Sequence, residues 1–121
     1  MKIINNIIYF KDLNTIIKQK EYQYKILKFG AKWCKPCTEI KEDFTSFIKS
    51  LNNTNLIVVD IDIDEFVDID EHYQLTKIPY FVIYDKEEIV AEFNSGQMHV
   101  IKANIESFIE NDKEFVINED F

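Results

Sequence analysis

The sequence predicts an α/β domain in which helices flank a central mixed β-sheet, in the order β-α-β-α-β-α-β-β-α. Three observations lead there. Short apolar, β-branched runs alternate along the chain with apolar residues spaced three or four apart. Residues 56–61 are apolar at strand length, Asp60 apart, which is the pattern of a parallel strand covered on both faces. Near the C-terminus two strand-like runs are separated only by Asp85-Lys86-Glu87, so the sheet closes on a hairpin.

Each element follows in order. Residues 3–9 form a short apolar stretch, expected as an edge strand. Leu13, Ile16 and Ile17 have helical spacing, with Asp12 or Asn14 as caps. Residues 24–29 read as a strand. Cys37, Ile40, Phe44, Phe47, Ile48 and Leu51 trace one face of an amphipathic helix. The strand 56–61 is followed by a short helix over 66–73. Strands follow over 80–84 and 88–93. Ile101, Ile105, Phe108 and Ile109 give a last helix. The stripes Phe44, Phe47, Ile48 and Ile101, Ile105, Phe108 are expected in the core. The tail 113–121 is assigned no element, and residues 1–121 are read as one domain. With two glycines and two prolines in the chain, turns fall to Asn and Asp.

Composition bounds the function. The chain has 121 residues, 46% of them hydrophobic, enough for a core without staples. Its formal net charge is -8, and all 14 basic residues are lysine. That balance argues against nucleic acid or a membrane surface as partner, because neutralising phosphates takes a basic face. The N-terminal residues lack an unbroken apolar segment and a small-residue cleavage site. No run approaches the roughly 18 apolar residues of a membrane span. The expectation is a cytoplasmic monomer, in a compartment where paired thiols are more often catalytic or metal-binding than structural.

The two cysteines are Cys34 and Cys37, with Lys35-Pro36 between them and Trp33 before. If a strand delivers the chain and a helix begins at Cys34, the sulfurs lie one turn apart and can close a small ring. Cys37 falls in line with Ile40 and Phe44, so it faces the core. Cys34 lies where backbone N–H groups have no intrahelical partner. Those donors and the positive end of the helix favour a thiolate, and Lys35 and Lys32 add positive charge. Cys34 is therefore the expected nucleophile. Cys37, less exposed, is the expected resolving thiol. Pro36 costs nothing in a first helical turn.

Other readings remain open on the residues alone. The cysteines could be half of a zinc site, but His72 and His99 lack paired spacing. They could be inert core residues, which leaves Trp33 and Pro36 unexplained. Asp60, Asp62, Asp64, Asp68 and Glu71 fall at calcium-loop spacing, yet the sixth position is Glu65 where a glycine is needed. A solvated acidic strand end accounts for them more simply.

The segment Phe29-Gly30-Ala31-Lys32-Trp33-Cys34-Lys35-Pro36-Cys37 resembles the active-site segment of the thioredoxin family, and Ile78-Pro79 resembles that family's cis Ile-Pro. Asp62-x-Asp64-Glu65 is similar to the acidic turn after its third strand. The resemblance spans roughly residues 3–112. It implies the thioredoxin fold and a thiol–disulfide oxidoreductase that reduces protein disulfides or isomerises them. By the same resemblance Trp33, Ile78, Pro79, Tyr80 and Gly96 form the rim that binds substrate backbone. No flavin or nicotinamide fingerprint is present, so no cofactor is expected. Electrons would come from a thioredoxin reductase or a glutathione-linked system, and the partners would be disulfide-containing proteins.

The departures matter. Lys35 stands where the family has glycine, Tyr80 where it has threonine, and Glu42 where a proline commonly bends the helix. That last change predicts a straighter helix. Lys28 occupies the position of the family's buried aspartate, and an ungapped alignment puts Asp60 where bacterial members carry the facing lysine. The pair is thus swapped, unless Lys28 reaches solvent alone. Two further functions stay in view: a thioredoxin-like scaffold or subunit of a larger complex, and an oxidant partner of a sulfhydryl oxidase.

Overall fold

A computed structural model of the protein describes residues 2–109. Five strands form one sheet in the order β1-β3-β2-β4-β5, with β1 Lys2–Ile4, β2 Tyr24–Gly30, β3 Leu56–Asp62, β4 Tyr80–Asp85 and β5 Glu88–Asn94. β1, β3 and β2 run parallel, and β4 and β5 are antiparallel to their neighbours. The expected mixed sheet is therefore present, and its helices are α1 Phe10–Ile17, α2 Lys35–Glu39, α3 Lys41–Ser50 and α4 Met98–Phe108. The tail 113–121 lies outside the described residues.

Strand β2 sits at the centre and is buried at every position. Its side chains alternate between two apolar layers. Ile26 points with Phe44, Phe47, Ile48, Phe81, Ile83, Ile101 and Ile105 into the layer under α3 and α4. Leu27 and Phe29 point with Leu13, Ile16, Ile17, Val59, Ile61 and Val82 into the layer under α1. Phe81 anchors the first layer, fully buried, with its ring 4.9 Å from Phe93 and 5.6 Å from Phe44. Truncating such a ring to alanine costs about 3–5 kcal/mol. Two lysines share this buried strand, Lys25 and Lys28.

Five expectations are corrected. The edge strand ends at Ile4 rather than continuing to residue 9; the carbonyl of Ile8 instead accepts the N–H of Val67 at 2.8 Å. The short helix over 66–73 is only one 3-10 turn, Ile69–Glu71, because Val67 and Asp68 are engaged elsewhere: the Asp68 carboxylate accepts the Phe10 N–H at 2.9 Å. The helix after the cysteines is not straighter. It breaks at Ile40 (φ -90, ψ -3) although no proline stands at the break. Thr38 supplies a cause, since its hydroxyl donates back to the Cys34 carbonyl at 3.1 Å, a contact that bends helices. Finally, Phe108 is exposed and Ile109 is buried, so the apolar stripe of α4 continues four residues after Ile105. The hairpin turn also departs from expectation: Lys86, not Asn or Asp, takes the left-handed conformation (φ 60).

Candidate active site

The site lies at the end of the sheet where β2 finishes. Gly30 ends the strand, Ala31, Lys32 and Trp33 cross its edge, and Cys34 caps α2 in extended conformation. Its sulfur accepts the N–H of Cys37 at 3.2 Å, and the two cysteines form a disulfide with Cα atoms 5.3 Å apart. Pro36 lies in the first turn of α2, where its missing N–H leaves no gap. In this oxidised state both cysteines are 5% exposed, so accessibility does not separate them, contrary to expectation. Their surroundings do. Cys34 Sγ stands 3.9 Å from the carbonyl oxygen of Ile78, whereas Cys37 Sγ lies against the backbone of Gly30.

The Ile78-Pro79 bond is cis. Pro79 is buried, Ile78 and Tyr80 are half-buried, and the Pro79 carbonyl accepts a hydrogen bond from Asn94 at 2.7 Å. Gly96 touches the cysteine ring from the other side: a Cβ there would stand 2.9 Å from Cβ of Pro36. A Cβ on Gly30 would stand 3.2 Å from Cys37 Sγ. The two glycines of the chain thus both pack against the ring. The sequence does not mark Gly30, Asn94 or Asp64 as site residues, although the scarcity of glycine is a signal that points to the first. Asp64 accepts the indole N–H of Trp33 at 2.8 Å, holding a ring that is 68% exposed.

The charged neighbours divide in two. Lys35 is exposed and pairs weakly with Glu39 at 3.9 Å, one helical turn on. Lys28 is buried, is the register partner of Asp60 across β2 and β3, and approaches its carboxylate to 3.5 Å. Its ammonium also lies 5.8 Å from the centre of the Phe44 ring. Asp60 is not interior: its side chain is 39% exposed. Both residues, with Cys37, Gly30 and Lys41, line an open cleft of about 540 Å³. Tyr80 turns its hydroxyl to Glu92, donating at 2.7 Å; burial, then that carboxylate, push its phenol up to about 12.

The acidic segment disperses rather than forming a calcium loop. Asp60 faces Lys28, Asp62 accepts the N–H of Asp64, and Asp64 holds Trp33. Among the described residues, the potential ligands that converge are Asp68, Glu71 and His72, within 4.8 Å, and neither cysteine is among them. Two of them have other engagements: Asp68 bonds the Phe10 N–H, and the His72 ring stacks on Phe10 at 3.7 Å. No described helix is long and apolar enough to cross a membrane.

A family model described as thioredoxin matches residues 7–111. The chain is 31% identical over 102 residues to thioredoxin 3 of Plasmodium falciparum, covering 84% of this chain and 51% of that protein, so it spans about half of that relative. It is 31% identical over 91 residues to thioredoxin-1 of Drosophila yakuba, covering 73% of this chain and 81% of the other. Among solved structures, a Plasmodium falciparum thioredoxin superposes with a TM-score of 0.76 at 24% identity, covering 90% of this chain and 100% of that one, which speaks to the fold.

Proposed function

Because the chain belongs to the thioredoxin family, we propose that it is a thiol–disulfide oxidoreductase that reduces protein disulfides, and isomerises them, through Cys34 and Cys37. The observation that carries the reading is Cys34 at the N-cap, bonded to Cys37 and facing the cis Ile78-Pro79 rim. In the reduced protein the Cys37 N–H and the start of α2 favour a thiolate on Cys34. That thiolate attacks one sulfur of a substrate disulfide. The substrate S–S bond breaks, a Cys34–substrate disulfide forms, and the leaving sulfur takes a proton from solvent. Cys37, as thiolate, then attacks Cys34 Sγ, closing the Cys34–Cys37 disulfide and releasing the second substrate thiol.

Lys28 acts on the second step. Its ammonium and Cys37 share a cleft, so it favours the Cys37 thiolate, and the half-exposed Asp60 gives the departing proton a path to solvent. Trp33, Ile78, Pro79, Tyr80 and Gly96 hold the substrate backbone, and Lys35 adds positive charge beside Cys34. Resetting the pair consumes two electrons and two protons, supplied by the dithiol of a thioredoxin reductase or by two thiols of a glutathione-linked system. On this reading the protein works as a monomer in the cytoplasm, where such donors keep it reduced.

Insulin reduction with dithiothreitol tests the proposal. Wild type should accelerate precipitation of the insulin B chain, and Cys34→Ser should match the uncatalysed rate. Wild type without effect would point to a thioredoxin-like scaffold instead.

A further inference from the structure

The opposite end of the sheet carries a second feature that disulfide exchange does not use. There Tyr24 of β2, Leu56 of β3 and the β4–β5 turn meet. From Tyr24 to Gly30 the extended strand separates this end from the cysteines by about 20 Å. A cavity of about 430 Å³ opens here, and its walls include Lys18, Lys20, Lys25 and Lys86. Gln19, Gln23, Asn55 and the half-buried Tyr22 complete most of its lining. In a chain of net charge -8, four lysines converge on one cavity. The nearby carboxylates are Glu87, in the wall, and Asp85, which already accepts a hydrogen bond from Gln23 at 3.0 Å.

Lys25 is the unusual member. It is 1% exposed, and its ammonium donates to the carbonyl of Lys86 at 2.9 Å. That contact, with the Lys86 N–H donating to Gln23 at 2.6 Å, steadies the left-handed turn. It satisfies one of three donors and cancels no charge. Lys25 forms no ion pair among the described residues, and Glu87 and Asp85 act on it only at longer range. A buried ammonium without a counter-ion is costly, and an anion in the adjoining cavity removes that cost.

We propose that this cavity binds a doubly charged oxyanion, free phosphate or the phosphate end of a small phosphomonoester, with Lys25 as its buried anchor and Lys18, Lys20 and Lys86 around it. Lysine ammoniums suit phosphate as point charges. The volume exceeds that of the anion alone, and Tyr22 offers a flat apolar wall for an organic portion.

The test is titration of the 15N-labelled, oxidised full chain with sodium phosphate, against sodium chloride at equal ionic strength. Phosphate should give saturable shifts confined to residues 18–25, 55 and 85–88, and should raise Tm by at least ~2 °C over chloride. Glucose 6-phosphate separates the two sources: binding at least threefold tighter than phosphate means an ester, and equal binding means free phosphate. Lys25→Met should abolish the shifts and stay folded in phosphate-free buffer, because loss of its hydrogen bond to Lys86 is offset by removal of the buried charge. Lys18→Gln/Lys20→Gln changes only exposed side chains, so it folds, and should weaken binding at least fivefold. Non-saturating shifts, equal effects of chloride, or wild-type affinity in the Lys18→Gln/Lys20→Gln protein would overturn the proposal.

Discussion

Replacing Asp60 by alanine isolates the pair beneath the cysteines. The change leaves the Lys28 ammonium, whose side chain is 7% exposed, without its carboxylate 3.5 Å away. A fully buried pair broken this way costs about 3–5 kcal/mol, and an exposed pair is worth about 0–1 kcal/mol. Asp60 is 39% exposed, the contact is long, and the Phe44 ring and the open cleft remain as partial substitutes. The expected loss is therefore about 1–2 kcal/mol, between those limits. Urea unfolding of the oxidised protein, followed by circular dichroism, should show a midpoint lower by roughly 0.5–1.5 M at unchanged slope. Lys28→Leu/Asp60→Leu should recover most of the loss, since it removes the stranded charge along with its partner. If both single variants lie within about 0.5 kcal/mol of wild type, or if their effects add without coupling, the pair is not an energetic unit and its role at Cys37 loses its basis.

Other outcomes follow from the same geometry. Cys37→Ser should accumulate a mixed disulfide through Cys34, seen by mass spectrometry after incubation with a disulfide substrate; an adduct in Cys34→Ser but not in Cys37→Ser would reverse the roles. Gly96→Ala places a methyl 2.9 Å from Pro36, so it should cost about 1–3 kcal/mol and slow insulin reduction; wild-type values would show that the rim yields freely. Tyr73 and Tyr84, whose hydroxyls lie 3.0 Å apart in the core, have phenol pKa values raised above 10, chiefly by burial. Their contribution is complete below pH 10. Above it the unfolded phenols ionise first, and stability falls by on the order of 1 kcal/mol per pH unit for each. Urea midpoints between pH 9 and 11 should therefore drop more steeply for wild type than for Tyr73→Phe; parallel curves would contradict it.

The sheet was legible because β2, β3 and β4 are mostly apolar runs of strand length, and because β2 and β3 are covered on both faces. The boundaries that failed did so where tertiary contacts decided. The Val67 N–H is committed to Ile8 and the Asp68 carboxylate to the Phe10 N–H, which sequence periodicity does not register. The break at Ile40 comes without the proline that would announce it. At the site, Cys34, Cys37 and Pro79 come together as the motif spacing implied, and Lys28 meets Asp60 because the two strands pair in register. The exposure of Asp60, and Glu39 beside Lys35, depend on strand edges and rotamers that the chain alone does not express. Lys25 looked like one more lysine in a lysine-rich chain; only the sheet shows it buried.

The reduction potential of the Cys34–Cys37 pair tests the central claim most directly. It can be read in glutathione redox buffers from the fluorescence of Trp33, the single tryptophan, which precedes Cys34. Lys35 favours the reduced, thiolate form, which makes the couple more oxidising, but Glu39 at 3.9 Å and full solvent access weaken its pull. The account predicts one reversible two-electron transition, about 20–50 mV above thioredoxin's roughly -270 mV and well below the strong oxidants near -120 mV. A midpoint below about -280 mV would contradict the electrostatic assignment, and no reversible two-electron transition at all would contradict the redox function itself.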